Sequence, residues 1–288
     1  MAQSHGMKFA QPVADGWAPD GSPLPAALAR TTHLCVAAHQ DDIEIMAYHG
    51  IAACRGQSEH AFTGVVVTDG AGSPRTGKFA AFSDEQMKVV RRDEQRAAAR
   101  LGGYAAMIQL GHPSAQVKDA ARTEVGQDLA AILSVATPRV VYLHNPADKH
   151  DTHIAVFLRS LAALRALPAE RRPAQVYGCE VWRDLDWLLD ADKQALDVSA
   201  EPRLAADLVA VFASQIAGGK RYDLATAGRR LAHATFHTAH AADQAAALTW
   251  AMDLTPLVRD PELSVEEFAL AYVDRLRADV AARLKKFS

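Results

Sequence analysis

The sequence predicts an α/β fold: a Rossmann-like, mostly parallel sheet with helices on both faces and a helical C-terminal extension. Three observations predict it. Short apolar runs of strand length alternate with segments of helical periodicity from about residue 31 to residue 182. The strand runs are near-continuously apolar, as in parallel strands that are buried on both faces. A length of 288 residues with 49% hydrophobic and 23% charged positions suits one α/β domain of ordinary size.

The elements follow in order along the chain. Apolar runs predict five strands, at 33–39, 62–70, 104–111, 139–145 and 174–182. Helical spacing predicts the intervening helices, at 41–56, 83–101, 123–136 and 151–167. Ser83 and Gln86 form a capping-box pair at the start of the second helix, and Gly102 and Gly103 stop it. The extension, from about residue 184, is predicted to be helical over 203–217, 222–250 and 264–286.

The chain shows no linker that would divide it. Residues 1–30 hold several prolines and glycines and predict an irregular arm that leads into the fold. We therefore expect residues 31–288 to form a single domain, which includes the helical extension.

Charge and composition exclude several classes of protein. The net charge of −3 and the lack of a dense basic run give no electrostatic support for nucleic-acid or acidic-membrane binding. No apolar stretch approaches the ~18–20 residues that cross a bilayer. Residues 1–15 lack the apolar core of a secretion signal, and the three widely spaced cysteines predict no disulfide framework. We expect a cytoplasmic protein without a nucleic-acid or membrane partner. The sequence does not decide whether the protein forms a homo-oligomer.

The first chemical motif is AHQDDIEI, at residues 38–45, where the first strand ends and its helix begins. His39, Asp41 and Asp42 lie within four positions of this turn and can point at one centre. Alternatively, the two aspartates are helix N-caps, since acidic groups at a helix N-terminus contribute about 0.3–1 kcal/mol. One aspartate is enough to cap the helix, so the second aspartate and the histidine are more than a cap requires.

The second motif is HNPADKHDTHIAV, at residues 144–156, on the turn that follows the fourth strand. It supplies His144, Asp148, His150, Asp151 and His153. The alternative here is a solvated polar loop with a proline turn. The carboxyl ends of parallel strands share one sheet edge, so both motifs are expected to meet there. Three ligands of histidine and carboxylate type plus a water are the composition of a catalytic zinc site.

These two motifs resemble those of the PIG-L/LmbE-like zinc-dependent N-deacetylases, which remove acetyl groups from N-acetylglucosaminyl and related compounds. AHQDDIE is similar to the family's AHPDDE-type motif and HDTH to its HPDH-type motif, within a resemblance that runs from about residue 31 to residue 182. TDGAGSPRTG and VRRDEQRAAARLGG also look like the family's second-strand loop and helix.

The resemblance implies a role for each matching position. His39, Asp42 and His153 would be the metal ligands. Asp41 would be the general base, and His150 the imidazole beside the reacting carbonyl. Arg75 would be a substrate-binding arginine.

The sequence departs from the family pattern in the residues around these positions. Gln40 stands where proline is usual, and Ile43 separates the aspartate pair from Glu44. Thr152 stands where an aspartate usually precedes the ligand histidine, so its orienting role falls to Asp151 or Asp148, or to no residue.

The expected function is that of a metal-dependent hydrolase that removes an acetyl group from an N-acetylated amino sugar or small glycoconjugate. The expected cofactor is Zn²⁺, and Fe²⁺ also suits these ligands. The alternatives are a hydrolase of a non-sugar acylated amine and a metal-containing protein that binds its ligand without turnover. A nucleotide-dependent enzyme is a weaker rival, since GAGSPRTGK at 70–78 fits no phosphate-binding motif.

Two further features are open to two interpretations. Trp182, after the fifth strand, either stacks on a sugar ring at the pocket wall or belongs to the core. His233, His237 and His240 lie on one predicted helix face, as a second metal site or as an ordinary polar face.

Overall fold

The structure is a computed structural model that describes residues 6–288. Eight strands form one sheet: β1 (Asp15–Trp17), β2 (His33–Ala37), β3 (Phe62–Thr68), β4 (Ala106–His112), β5 (Val140–His144), β6 (Gln175–Cys179), β7 (Gln194–Asp197) and β8 (Leu248–Asp253). The helices are α1 (Leu24–Ala29), α2 (Asp42–Met46), α3 (Tyr48–Cys54), α4 (Asp84–Gly102), α5 (Ser114–Lys118), α6 (Glu124–Val135), α7 (Asp151–Arg165), α8 (Pro202–Ala210), α9 (Ala213–Ala217), α10 (Tyr222–Phe236), α11 (Thr255–Arg259) and α12 (Val265–Phe287).

The sheet has the strand order β1-β4-β3-β2-β5-β6-β8-β7. The five strands from β4 to β6 in that order are parallel, which confirms the predicted fold class. At the two edges, β1 pairs antiparallel with β4, and β8 pairs antiparallel with β6 and β7. The chain leaves β2 toward β3 on one side and adds β5 on the other, so the crevice of the fold opens at the carboxyl ends of β2 and β5.

The core lies on both faces of the sheet, because alternate residues of a strand point to opposite sides. Leu34 and Val36 of β2 belong to the apolar cluster under α1, α6 and α7, and Cys35 and Ala37 belong to the cluster under α3 and α4. The capping box predicted at Ser83 is present at the start of α4. Within residues 6–288, no helix combines the length and apolarity that a membrane span requires.

The predicted N-terminal arm is not irregular throughout. Residues 15–17 form β1, and residues 24–29 form α1, whose Ala27 and Leu28 are fully buried. The hydrogen bonds of β1 come from pairing with β4, a tertiary contact that the local sequence does not predict. Residues 1–5 of the predicted arm lie outside the described residues. That residues 31–288 act as one domain stays a prediction.

The predicted helix over 222–250 is wrong in its second half. Helix α10 ends at Phe236, and residues 248–253 form strand β8, which is buried on both faces except at Asp253. Two other predicted helices are divided: 41–56 into α2 and α3 at Ala47, and 203–217 into α8 and α9. The C-terminal helix forms as predicted, with Ser264 capping the backbone N–H of Glu267.

Candidate metal centre and active site

The two motif loops meet because β2 and β5 are neighbouring parallel strands. The turn after β2 carries His39, Asp41 and Asp42, and the loop after β5 carries His150 and His153. All five side chains lie at one end of the sheet. The structure therefore brings together residues that stand more than a hundred positions apart in the chain.

Three of these side chains form a compact triangle of possible metal ligands. His39 Nδ1 lies 3.2 Å from Asp42 Oδ2 and 3.2 Å from His153 Nε2, and the third side, from His153 Nε2 to Asp42 Oδ2, is 3.4 Å. Ligand atoms bound to one zinc ion at about 2.0–2.1 Å with tetrahedral angles would lie roughly 3.3–3.4 Å apart. The donor types and their spacing therefore fit a divalent ion.

His144 lies beside the triangle but is a poorer ligand. Its Nε2 accepts the backbone N–H of Ala38 at 2.9 Å, which occupies the lone pair that a metal would need. The same atom is 3.6 Å from Asp42 Oδ2, and the His144 ring stacks on His153 with centroids 3.9 Å apart. We assign His144 to packing beneath the site.

Asp148 orients the imidazole of His153. Its Oδ2 lies 3.1 Å from His153 Nδ1, which fixes the tautomer that leaves Nε2 free to bind a metal. This carboxylate supplies one of the two alternatives that Thr152 leaves open. Thr152 itself is buried and lines the cavity.

Charge in the triangle is balanced by mutual contacts. Burial opposes ionisation of Asp42, yet the imidazoles of His153, His39 and His144 hold its pKa well below the usual range. Burial also opposes the charge on His153, but Asp42 and Asp148 leave the pKa of that imidazole raised. Burial lowers the pKa of His144 well below its ordinary value, so its ring is neutral.

Asp41 occupies a strained backbone position at the start of α2. Its φ of 89° is one that residues other than glycine rarely adopt, at a cost of about 1–3 kcal/mol. Its side chain makes no capping hydrogen bond, so the N-cap interpretation does not explain it. Burial raises the pKa of Asp41 to about 6, although the nearby Arg91 guanidinium favours the charged form.

Arg91 holds Asp41 and was missed in the sequence. It is 1% exposed, and its Nη2 lies 2.9 Å from Asp41 Oδ2. Its Nη1 donates to Glu94 at 3.1 Å, while Gln95 accepts the backbone N–H of Asp41 at 3.3 Å. Helical spacing could have found Arg91 and Gln95, because they stand on the face of α4 that also buries Met87.

A cavity of about 240 Å³ opens over these residues. His39, Asp41, Asp42 and His150 form its floor, and residues 70–74 of the loop after β3 form one wall. The lining also includes Trp182, which follows β6, and Gln215, Lys220 and Tyr222 of the C-terminal extension. The site is thus an open pocket with an acidic and imidazole floor.

The remaining predicted residues fall in two places. Trp182 lines the pocket, its ring centroid 6.2 Å from that of His150, and its half-buried side chain also packs against the core cluster under α3 and α4. Arg75 does not line the cavity: its guanidinium pairs with Asp84 and donates to the Ala71 carbonyl at 2.8 Å. Its role in substrate binding stays a prediction.

The His150 imidazole has no carboxylate partner among the described residues. Its Nδ1 is buried and has no hydrogen-bond partner among the described residues. Burial and the neighbouring imidazoles of His153 and His39 lower its pKa. A neutral imidazole therefore faces the pocket.

The histidines of α10 serve packing. His233 Nε2 lies 2.8 Å from Glu180 Oε1, and the His237 ring packs on Trp250 with centroids 4.8 Å apart. His240 lies beyond the end of the helix. Neither group of clustered metal-ligand atoms in residues 6–288 includes any of the three, so the second metal site gains no support.

Comparison with known proteins identifies the part of the chain that carries the floor. Residues 34–164 match the family described as "PIG-L: GlcNAc-PI de-N-acetylase". The resemblance recognised from the two motifs is confirmed by this match. The matched segment contains His39, Asp42 and His153, together with Asp41, Arg91 and His150. The wall residues Trp182, Gln215, Lys220 and Tyr222 lie outside it.

Solved structures share the fold at low identity. The N,N'-diacetylchitobiose deacetylase of Pyrococcus horikoshii matches with a TM-score of 0.56 and 17% identity, over 72% of this chain and 78% of that one. GalB, the 4-carboxy-2-hydroxymuconate hydratase of Pseudomonas putida KT2440, matches with a TM-score of 0.56 and 17% identity. The match covers 77% of this chain and 95% of that one. The zinc-inhibited form of the teicoplanin deacetylase Orf2 matches with a TM-score of 0.55 and 16% identity. The match covers 77% of this chain and 97% of that one. No curated protein matches the sequence.

Proposed function

We propose that the chain is a metal-dependent hydrolase that removes the acetyl group from an N-acetylated amino sugar or small glycoconjugate. The observation that carries this proposal is the triangle of His39, Asp42 and His153, which lies beside Asp41 on the floor of an open pocket. Its position within the segment that matches the PIG-L family supports the choice of reaction.

His39, Asp42 and His153 would hold the cofactor, for which we propose Zn²⁺, with Fe²⁺ as the alternative. A divalent ion bound there would lower the pKa of a coordinated water to about 7. Asp148 contributes by holding His153 in the tautomer that exposes Nε2.

Asp41 is proposed as the general base. Its carboxylate would take a proton from the attacking water and deliver it to the nitrogen of the departing amine as the C–N bond breaks. Arg91 fixes the carboxylate, since Asp41 Oδ2 accepts from Arg91 Nη2 at 2.9 Å. The products are acetate and the free amine.

His150 is proposed to stabilise the oxyanion that forms when water adds to the amide carbonyl. A neutral imidazole retains one N–H donor, and loss of such a donor typically costs about 3–4 kcal/mol of transition-state stabilisation. The unpartnered Nδ1 of His150 leaves this ring free of a competing hydrogen bond within the described residues.

Two alternatives use the same centre. The acylated amine could be other than a sugar, or the pocket could bind a ligand without turnover, an option that the unpaired His150 keeps open. The matching fold of GalB also shows that this architecture is not confined to proteins named as deacetylases. A substrate screen separates these functions.

The test is acetate release from a panel of N-acetylated sugars and N-acetylated non-sugar amines. The protein is stripped with chelator and reconstituted with Zn²⁺ or Fe²⁺, from equimolar amounts to excess, because zinc inhibits the structurally similar Orf2. His153→Ala serves as the variant without a metal site. We expect release that requires metal and is fastest with a sugar; faster release from non-sugar amines supports that alternative. Metal binding without release from any compound would favour the binding protein, and release that survives chelation would overturn the proposal.

A further inference from the structure

We infer that the mouth of the pocket binds an anionic group, a carboxylate or a phosphate, carried by the substrate, and that Lys220 is the residue that recognises it. This inference rests on the proposed function for the reaction, but its site lies outside the segment that matches the PIG-L family. It thereby narrows the substrate class to negatively charged acylated amines.

Lys220 is a cation without an acidic partner. Its Nζ sits 4.9 Å from the centroid of the Trp182 ring, and Lys220 takes part in no ion pair among residues 6–288. The other cations near the pocket already form ion pairs. Arg91 pairs with Asp41 and Glu94, and Arg75 pairs with Asp84. Lys220 therefore presents the free positive charge of the pocket lining.

Gln215 places a second donor on the same wall. The residue is 4% exposed and lines the cavity, and its side-chain Nε2 is buried without a hydrogen-bond partner among residues 6–288. A buried amide donor is costly when it stays unpaired, so its position favours a ligand that accepts from it. An ammonium and an unpaired amide N–H that line one cavity suit an oxyanion rather than a neutral hydroxyl.

The pocket is therefore polarised between floor and mouth. On the floor, Asp41 pairs with Arg91, and Asp42 lies within 3.4 Å of His39 and His153. At the mouth, the Lys220 ammonium has no such partner of opposite charge among the described residues. The Trp182 ring beneath Lys220 holds the ammonium by a cation–π contact, which preorganises it for a ligand at low entropic cost.

The first experiment measures binding, which does not depend on turnover. Titration calorimetry on metal-loaded protein compares glucosamine with glucosamine 6-phosphate and muramic acid, which add a phosphate and a carboxylate respectively. We expect at least one charged compound to bind about five- to tenfold more tightly than glucosamine. Whichever does so identifies the anion. The gain should shrink in 1 M salt, because Lys220 is exposed.

Variants assign the gain to Lys220. Lys220→Gln should abolish the preference for the charged compound, and Lys220→Arg should retain most of it. Lys285→Gln removes one exposed charge from the far end of α12 and should change nothing. Equal affinities for charged and neutral compounds would overturn the inference, as would a preference that survives in Lys220→Gln, which would assign it to the metal.

A second readout links the site to the reaction. With N-acetylglucosamine 6-phosphate and N-acetylglucosamine as substrates, the ratio of their kcat/KM values should favour the charged one and fall in Lys220→Gln. If neither compound releases acetate while the calorimetric preference holds, the proposed reaction fails and the anion site stands. If acetate is released without a charge preference, the anion site fails and the reaction stands.

Discussion

Replacing Arg91 with methionine tests the buried ion pair that holds Asp41. Methionine keeps much of the apolar stem but removes the guanidinium, which contacts Asp41, Glu94, Ser214 and the backbone carbonyl of Gln40. Asp41 is 5% exposed, so its carboxylate would remain buried without a cation. Removal of one partner from a buried pair typically destabilises a protein by about 3–5 kcal/mol.

The structure places Arg91→Met within that range. Glu94 keeps two other donors, the backbone N–H and hydroxyl of Ser214 at 2.7 and 2.6 Å, so its loss is small. The Asp41 carboxylate keeps no other hydrogen bond among the described residues, and the strained φ of this residue persists. We therefore expect a loss of about 3–5 kcal/mol, mainly from the buried Asp41 carboxylate and in part from the Gln40 carbonyl, which also loses its Arg91 donor.

Urea unfolding of the metal-free protein, followed by circular dichroism, measures the effect. Metal is removed because its binding would add stability to the folded state only. The double variant Asp41→Asn/Arg91→Met should recover about 2 kcal/mol relative to additivity, since a neutral amide tolerates the lost cation. Arg203→Met, at a side chain that is 93% exposed, is the control and should change stability by less than about 0.5 kcal/mol. A loss below about 1 kcal/mol for Arg91→Met, or an additive double variant, would refute the assigned role of the pair.

Three further predictions concern the centre and the fold. Asp41→Asn should bind metal normally yet lose about 10²–10⁴ in turnover, and activity that remains near wild type would remove Asp41 from the base role. His153→Ala should no longer bind the metal, and elemental analysis that finds full occupancy would contradict the place of His153 as a ligand. Asp148→Asn should weaken metal affinity by about 10–100-fold, as measured by competition with a chelator. Ser83→Ala should cost about 1 kcal/mol of unfolding free energy in urea, through loss of the cap at α4, and an unchanged midpoint would show that the capping box adds no stability.

The parallel centre of the sheet was predictable from sequence because buried strands are apolar on both faces. The antiparallel edges were not. Strand β1 has only three residues, and β7 has four, too few for a periodic signal. Residues 238–246 are rich in alanine, which favours a helix locally, yet the chain leaves α10 at Phe236 to pair β8 with β6. Tertiary pairing overrides the local propensity there.

The candidate site divides in the same way. His39, Asp42 and His153 stand on short motifs at strand ends, so parallel topology alone predicts that they meet. Lys220 and Gln215 carry no such signal, because they reach the pocket from an extension whose packing is set by distant contacts. Arg91 falls between these cases. Helical spacing predicts that it lies on the buried face of α4, but it does not predict the partner Asp41, which is fifty residues away.

One hydrogen-bond network joins the two halves of the pocket. Ser214 donates to Glu94 through its backbone N–H and its hydroxyl, and the same hydroxyl accepts from Arg91 at 3.3 Å. Arg91 in turn holds Asp41. Because Ser214 directly precedes Gln215 on α9, the contacts that fix the proposed base also anchor the segment of the extension that lines the pocket. Loss of Ser214 should therefore perturb substrate affinity and turnover together, whereas a change at Lys220 acts on affinity at the mouth alone.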